Sequence, residues 1–246
     1  MPAPGRTFAA AVAMTFGLAA AVAHAAHPSL TEDTGTQGLR HVEVEIGVTV
    51  VRPAEGRIVE LGPQVSVGVA PRVDAIVRPA LSWIGGRENG ARGVAATTTD
   101  VKWRFLDLDP VSVGLRAGVD WPTGSHRLGG ERASFHGLLV MTRTIGDGTA
   151  SLNVGTDRRG RVEGERRNIV QIAAGVAYPV APAFTAVADV ALQSNPDASR
   201  TTAPAVASIG AIARLAPWLD VDIGYRVALN DVARPQALFA GATFRW

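Results

Sequence analysis

The chain closes on residues 218–246, WLDVDIGYRVALNDVARPQALFAGATFRW, in which apolar and polar side chains alternate. In the first half, Leu219, Val221 and Ile223 share one parity, and Asp220 and Asp222 share the other. After a short break of Asn, Asp, Arg and Pro, the alternation resumes and runs to the final residue. Because successive side chains of a β-strand point to opposite faces, this stretch predicts a hairpin with one apolar and one charged face.

The same alternation recurs through the rest of the 246-residue chain and predicts about twelve strands. It is clearest near the start, where Val42, Val44 and Ile46 alternate with Glu43 and Glu45. By residue number, the predicted strands are 41–51, 58–70, 73–84, 95–106, 111–121, 133–144, 150–156, 169–178, 184–193, 205–215, 218–229 and 238–246. The strand at 133–144 is less regular, and the strand at 169–178 is apolar on both faces, so its phase stays open.

The connections between these strands alternate in length. Those after every second strand are short, whereas those after the third, fifth, seventh and ninth are long, polar and rich in Gly or Arg; the first and last are intermediate. An even number of strands, roughly 9–11 residues each, with alternating short and long connections is typical of bacterial outer-membrane barrels. We therefore predict an all-β fold, a single transmembrane antiparallel up-and-down β-barrel of about 12 strands over residues 41–246.

Residues 1–25 have the pattern of a cleavable signal peptide. Arg6 supplies the positive charge, an uncharged Ala-rich stretch follows, and Ala23-His24-Ala25 has the small-residue pattern of a cleavage site; the alternative is a membrane-anchor helix. Residues 26–40 have no apolar period, which predicts a loop-like N-terminal segment in the periplasm or the lumen, or a disordered tail. The chain has no cysteine, which excludes disulfides and Cys metal sites.

The alternate strand positions that carry charged side chains decide which face of the barrel meets lipid. A register slip of one residue would direct Arg104, Arg116 and Arg226 at hydrocarbon, at a cost of about 2–4 kcal/mol for each arginine near the midplane. We therefore expect the apolar parity outside and the charged parity in the lumen. The alternative is a soluble β-sandwich or lipocalin-like barrel with the apolar face as its core, because period two alone cannot distinguish inside from outside.

The lumen-facing positions carry charges of both signs and are the candidate functional residues. They are Glu43, Glu45, Asp74, Arg78, Asp100, Lys102, Arg104, Arg116, Asp120, Asp220, Asp222 and Arg226. We expect them to form a mixed-charge ring that sets solute selectivity; the alternative is that ion pairs among them only stabilise the barrel interior.

Several separate stretches follow one another in an order that resembles a known family. They are EDTGTQG (32–38), with Asp33, Thr34, Gly35 and Gly38; KWRF (102–105); WPTG (121–124), with Pro122, Thr123 and Gly124, followed by LGG (128–130); and AGATFRW (240–246). Together they look like the transporter-like outer-membrane family labelled "putative MetA-pathway of phenol degradation". The resemblance covers nearly the whole mature chain. It implies a channel or transporter for small, aromatic or hydrophobic molecules in the outer membrane of a Gram-negative bacterium.

Two other functions compete with a channel. The first is a structural or lipid-contacting barrel with a plugged lumen. The second is a lipid hydrolase, in which Ser134 and His136 share a parity and Asn153 orients the base. A turn centred near Asp147 argues against the hydrolase, because it places Asn153 opposite about Val140, roughly 13 Å along the strand from His136. We therefore predict that the protein is not an enzyme.

The expected partners are outer-membrane lipids and lipopolysaccharide, a small-molecule solute, and the barrel assembly machinery through Phe244 and Trp246. The arginines that could contact lipopolysaccharide phosphates are Arg158, Arg159, Arg161, Arg166 and Arg167. We expect no nucleic acid, because no basic stripe with interleaved aromatic residues is present. No cofactor is expected, and the histidines are too widely spaced for a metal site.

Overall fold

The structure is a computed structural model and describes residues 28–52, 57–85, 90–125, 128, 132–160, 162–233 and 236–246. The predicted signal peptide, residues 1–25, lies outside the described residues. The strands are β1 (Val42–Val51), β2 (Arg57–Ala70), β3 (Val73–Arg78), β4 (Leu81–Gly85), β5 (Ala91–Val94), β6 (Thr97–Leu108), β7 (Val111–Trp121), β8 (Ser134–Ile145), β9 (Gly148–Arg158), β10 (Asn168–Ala181), β11 (Phe184–Gln193), β12 (Ala205–Ala216), β13 (Leu219–Ala228) and β14 (Ala237–Arg245).

Among the described residues, we find no helix with the length and apolar character needed to cross a membrane.

The strands form one closed antiparallel sheet. β1 pairs with both β14 and β2, which closes the sheet into a barrel. β3 and β4 pair one after the other along β2, so together they occupy one strand position of the barrel, which we call a stave. β5 and β6 occupy the next stave in the same way. The remaining neighbours are consecutive in the chain, so fourteen strands build twelve staves of an up-and-down barrel. The predicted fold class and strand number are confirmed.

Two predicted strands are each split in two. The strand predicted at 73–84 is interrupted at Pro79-Ala80, where proline lacks the amide hydrogen that a sheet ladder needs. The strand predicted at 95–106 begins earlier, at β5, and is interrupted between β5 and β6. The two breaks lie next to each other in the sheet, where Ala95 N donates to Ala80 O at 2.7 Å. The polar connection predicted between these two strands is therefore shorter than the sequence indicates, since β5 occupies its last residues. β9 also extends beyond the predicted 150–156 at both ends.

The inner face of the barrel wall carries charged side chains and the outer face carries apolar ones, as predicted. Along β13, Asp220, Asp222 and Arg226 are buried in the barrel interior, whereas Ile223 and Tyr225 are exposed on the outer surface. The alternative with an apolar core is thereby contradicted.

β10 is the strand whose phase the sequence left open. It turns Val170 and Ile172 outward, and Ile169 and Gly175 inward. The outward residues continue the apolar outer surface of the neighbouring strands, so the sheet around it decides its phase.

The barrel has a turn end and a loop end. At the turn end, two-residue connections join β2 to β3, β6 to β7, β8 to β9, β10 to β11 and β12 to β13. At the loop end, the connections between staves are five to twelve residues long. The turn predicted near Asp147 is one of the short ones, with Gly146 at φ 58°, and it pairs Val140 with Asn153 as expected.

Candidate functional site

The N-terminal segment, residues 28–40, lies inside the barrel and joins the wall at the turn end. There Arg40 N donates to Gly68 O at 2.7 Å, and Gly68 N donates to His41 O at 3.0 Å. Gly38 adopts φ 82°, and a Cβ at Gly68 would stand 1.6 Å from the Gly38 oxygen. Only a glycine at position 68 allows the segment to pass this close to β2.

The other end of this segment lies about halfway along the barrel. Pro28 is buried, and its ring contacts the positions where a Cβ at Gly210 or Gly224 would stand, at 3.0 and 3.1 Å. Leu30 and Thr31 are also buried. The N-terminal segment therefore occupies the half of the lumen nearest the turn end.

Glu32 ties the segment to the wall through a buried ion-pair cluster. Its Oε1 accepts a hydrogen bond from Lys102 Nζ at 2.6 Å, and its Oε2 accepts one from Arg116 Nη1 at 2.7 Å. Its backbone N donates to Asn153 Oδ1 at 2.7 Å, and its O accepts from Asn153 Nδ2 at 2.8 Å. Removing one partner from a buried ion pair typically costs about 3–5 kcal/mol. We call these four residues the Glu32 clamp.

Three further residues of the segment bond to side chains in the lumen. They are Thr31 with Asp189, Thr34 with Thr142 and Ser112, and Gln37 with Asp74 and Glu43. Together with the Glu32 clamp, these partners are spread over β1, β3, β6, β7, β8, β9 and β11. The segment is therefore held from most of the barrel circumference.

Arg116 is the centre of the charge network in the wall, with 1% of its surface exposed. Its Nε and Nη2 donate to Asp100 Oδ2 at 3.0 and 2.7 Å, and Nη2 also lies 3.1 Å from Gln64 Oε1. The other Asp100 oxygen bonds to His136 Nε2, and His136 Nδ1 lies 3.4 Å from Asp120. Every charge in this chain of contacts has an oppositely charged or polar neighbour, as burial requires.

A second charged group closes the barrel seam at the turn end. Arg245 Nε donates to Glu43 Oε2 at 2.8 Å, and its Nη1 donates to Asp220 Oδ2 at 2.7 Å. Arg214 Nε donates to the other oxygen of Asp220 at 3.0 Å. Arg245 thus joins the last strand to both of its neighbours, β1 and β13.

The loop-end half of the lumen has an apolar side. Val51, Ile58, Ala237 and Phe239 are buried against one another, with Ile84 packed beside them. All five lie on the inward parity of β1, β2, β4 and β14. This cluster supplies apolar surface above the N-terminal segment.

Other staves of the same half carry polar groups. Asp157 Oδ2, both amide atoms of Gln193 and Arg226 Nε are buried and have no hydrogen-bond partner in the part of the chain that the structure describes. These residues are 6%, 3% and 5% exposed. Buried polar groups without partners offer binding sites to a polar molecule in the lumen.

All twelve predicted lumen residues lie on the inward parity of their strands. The structure brings Asp100, Lys102 and Arg116 together at the N-terminal segment, and joins Glu43 to Asp220 through Arg245. The remaining ones are spread along the barrel. Arg78 lies within electrostatic range of Asp120, and Arg226 within range of Glu60. Glu45 lies 2.8 Å from Gln64, Asp74 bonds to Gln37, Arg104 lies 3.8 Å from Asp107, and Asp222 is on β13. Their role in solute selectivity stays a prediction.

Several residues that make these lumen contacts were not predicted from the sequence. They are Glu32, Gln64, Asn153 as a segment anchor, Asp189 and Arg245. Inward parity and polarity could have identified Gln64, Asp189 and Arg245. Glu32 belongs to no periodic stretch, so nothing in its surroundings signals its partners.

The residues of the family-like motif have distinct positions. Asp33 is exposed and accepts a hydrogen bond from Gly35 N at 2.7 Å, which turns the segment between its two buried neighbours. Thr34 is buried, and Gly38 takes the positive φ described above. This motif therefore belongs to the segment that lies in the lumen.

The second motif, at Pro122, Thr123 and Gly124, forms a turn against the wall. Thr123 Oγ1 accepts from Thr97 N at 2.9 Å, and Ser125 N donates to Val94 O at 2.9 Å. The turn thus supplies bonds at the break between β5 and β6. The residues after the turn pack on the inward side of β5, because a Cβ at Gly93 would stand 3.0 Å from Ser125 Oγ and 3.4 Å from Leu128 Cδ1, and Leu128 is 2% exposed. The motif is therefore a turn at a strand end, and the residues that follow it enter the loop-end half of the lumen.

The hydrolase candidates are engaged with carboxylates. Ser134 Oγ donates to Asp120 Oδ2 at 3.0 Å, and His136 contacts Asp100 and Asp120. Asn153 holds the backbone of Glu32 and pairs across the sheet with Val140. A nucleophile–base–orienting group arrangement needs these side chains hydrogen-bonded to one another in series, whereas Ser134 and His136 contact carboxylates and Asn153 contacts the Glu32 backbone.

Within the described ranges, no group of three or more His, Asp or Glu side chains is arranged to hold a metal ion.

Comparison with known proteins shows which solved structures share this fold. No known family matches the sequence, and no curated protein matches it. Among solved structures, an outer-membrane channel of the COG4313 group from Pseudomonas putida F1 is 9% identical, covers 88% of this chain and 99% of its own, and has a TM-score of 0.73. The chain has the fold of outer-membrane channels.

Two porins share this fold at lower similarity. NanC porin is 12% identical over 82% of this chain and 98% of its own, with a TM-score of 0.60. KdgM porin, solved in complex with disordered oligogalacturonate, is 11% identical over 83% of this chain and 98% of its own, with a TM-score of 0.53. The likeness to the phenol-degradation family in particular stays a prediction.

Proposed function

We propose that this chain is an outer-membrane channel for small solutes in a Gram-negative bacterium. The observation that carries the proposal is the closed twelve-stave wall with charges inside and apolar side chains outside. Val101, Ile209 and Ile223 are 53%, 67% and 56% exposed on the outer surface, while Asp100 and Arg116 are buried inside. An apolar band of this kind is what a bilayer solvates. The fold shared with a channel and two porins supports the same function.

The N-terminal segment determines when such a channel conducts. It occupies the turn-end half of the lumen, and the Glu32 clamp holds it there with two buried ion pairs. Solute passage through the full length of the barrel therefore requires this segment to shift or leave. We infer a gated channel, in which the lumen charges set selectivity once the segment has moved.

The solute we propose is a small aromatic molecule with a polar group. The loop-end half of the lumen combines the apolar cluster around Phe239 with the unpartnered polar atoms of Asp157 and Gln193. A ring would find apolar surface on one side and hydrogen-bond partners on the other. The likeness to the phenol-degradation family suggests the same class of solute.

Insertion into the membrane involves the last strand. The Phe244 ring stacks between Trp218 and Trp246, with centroid distances of 6.4 and 6.2 Å. This aromatic stack lies at the turn end, on the strand that closes the barrel. We propose that the barrel assembly machinery recognises this terminal strand through Phe244 and Trp246.

A second candidate function is a structural barrel whose lumen stays closed. The bonds of the N-terminal segment to seven strands favour it. In that case the segment would be a permanent part of the core, and no solute would cross.

Liposome swelling distinguishes these candidates. Liposomes containing the full mature chain should swell in 4-hydroxybenzoate faster than protein-free liposomes, and faster than in an uncharged sugar of similar size. Phe239→Ala should lower the swelling rate in the aromatic solute by up to about tenfold, because an aromatic pair contributes up to about 1.5 kcal/mol and 1.4 kcal/mol is a factor of ten. Val180→Ala, which alters an exposed side chain near the turn end, is the control. Equal rates with and without protein would instead support the structural barrel.

A further inference from the structure

The outer wall near the loop end carries a row of arginines. Arg52, Arg57 and Arg92 are all exposed. Ile58 is buried inside, so the preceding Arg57 points outward, and Arg92 pairs across the sheet with Trp83, which is 41% exposed. We call Arg52, Arg57, Arg92, Trp83 and the outward Trp121 the outer basic patch.

The register of the sheet brings these arginines together. Val51 of β1 pairs with Ile58 of β2, so the next position along places Arg52 beside Arg57. β4 lies between these two arginines, where Arg57 is opposite Gly85 and Arg92 is opposite Trp83. Two strand spacings of about 4.8 Å and an offset of two residues separate their backbones by roughly 12 Å. Like charges opposite each other in a sheet repel, and an anion between them removes that repulsion.

Among the residues that the structure describes, the arginines of the outer basic patch have no carboxylate partner. None of the ion pairs formed among the described residues includes Arg52, Arg57 or Arg92. By contrast, the loop between β9 and β10 uses its arginines internally: Arg166 Nη2 donates to Arg200 O at 3.1 Å. The outer basic patch is therefore available to a ligand, whereas part of the loop is occupied.

The patch lies where lipid headgroups meet the barrel. Exposed aromatic side chains near the turn end, among them Trp103 and Trp246, mark one edge of the apolar wall. Trp83 and Trp121 mark the other edge, since each stands near the loop end of its strand. Tryptophan is enriched at membrane–water interfaces, so arginines at this level face headgroups rather than hydrocarbon.

We propose that the outer basic patch binds the phosphates of a lipid A headgroup in the outer leaflet, with Trp83 and Trp121 against the lipid beside it. Arginine donates two parallel hydrogen bonds to a phosphate, and three arginines in a row match a ligand with more than one phosphate. The proposal rests on the proposed outer-membrane location but is independent of what the lumen transports.

The test compares lipid binding by the full mature chain in detergent micelles. Native mass spectrometry would measure binding of bisphosphorylated lipid A to the unaltered chain and to R52Q/R57Q/R92Q. We expect the dissociation constant to rise about 100-fold in the triple variant, since each arginine near an anionic lipid surface contributes about a factor of five. Dephosphorylated lipid A should bind the unaltered chain as weakly as lipid A binds the variant.

Matched controls separate the patch from general basicity and from misfolding. R72Q/R143Q/R214Q removes the same charge from three exposed arginines at the turn end and should bind lipid A like the unaltered chain. Heat-modifiable migration on gels checks that each variant forms a barrel. R57Q alone replaces the triple variant in the test if the latter does not fold, and it should weaken binding about fivefold. Unchanged binding in a folded R52Q/R57Q/R92Q variant, equal loss in the turn-end variant, or equal binding of phosphatidylglycerol would overturn the proposal. Unaltered swelling rates in the triple variant would show that the channel function is untouched.

Discussion

Glu32→Gln is expected to raise the equilibrium constant for release of the N-terminal segment about 100-fold or more. The substitution keeps the backbone bonds to Asn153 but removes the charge that two buried cations share. Removing one partner of a buried ion pair costs about 3–5 kcal/mol, and each 1.4 kcal/mol is a factor of ten. The fraction of time spent in the conducting state, recorded from single channels in planar bilayers, measures the effect.

Asp33→Asn is the matched control for this substitution. It removes a neighbouring carboxylate whose side chain is 62% exposed and lies 3.6 Å from Lys102. Exposed ion pairs contribute at most about 1 kcal/mol, so the open fraction should change little. If both variants gate like the unaltered protein, the segment is not the gate.

A steric change at the wall should release the segment independently of charge. In Gly68→Ala, the added Cβ would overlap the Gly38 oxygen, so the segment must move where it enters the lumen. Gly62→Ala on the same strand meets nothing within 4 Å and serves as its control. A higher open fraction in the first variant alone would confirm that the segment's position controls conduction.

Arg116→Met is expected to destabilise the barrel by about 3–5 kcal/mol, because it removes the buried cation that Glu32 and Asp100 share. Asp100 has no exposed side-chain surface, and Glu32 has 6%. Methionine retains much of the side-chain volume, so the loss reports on charge rather than on a cavity. Urea unfolding in detergent, followed by tryptophan fluorescence and heat-modifiable migration, measures the change.

Two comparisons identify the origin of that loss. Arg104→Met alters another lumen arginine, one whose side chain is 29% exposed and lies 3.8 Å from Asp107, and it should cost less than about 1 kcal/mol. The double variant with Glu32→Gln should be less destabilised than the sum of the single variants, because the two residues contact each other directly. Strict additivity would show that they stabilise the barrel separately.

The faces and the order of the strands could be predicted from the sequence because they follow from local alternation. Asp220 and Asp222 point inward for the same reason that Ile223 points outward, and the turn at Asp147 fixes the pairing of Val140 with Asn153. These features depend on neighbours a few residues away.

The contacts of the lumen depend on residues far apart in the chain, and they escape such an argument. Glu32 is separated from Lys102 by 70 positions and from Arg116 by 84. A segment without apolar period carries no signal of which strands it will cross. The breaks at Pro79-Ala80 and after β5 were missed for a related reason, since they compensate each other across the sheet.

The measurement that tests the account most directly is a nitroxide scan along β13, from Leu219 to Ala228, in reconstituted liposomes. The chain has no cysteine, so single cysteines can be introduced and labelled one at a time. Labels at 221, 223 and 225 should collide with oxygen dissolved in the bilayer and be shielded from a water-soluble nickel complex, whereas labels at 220, 222 and 226 should be shielded from bilayer oxygen. The reverse pattern, or nickel accessibility at 221, 223 and 225, would contradict a barrel with lipid outside and charges within.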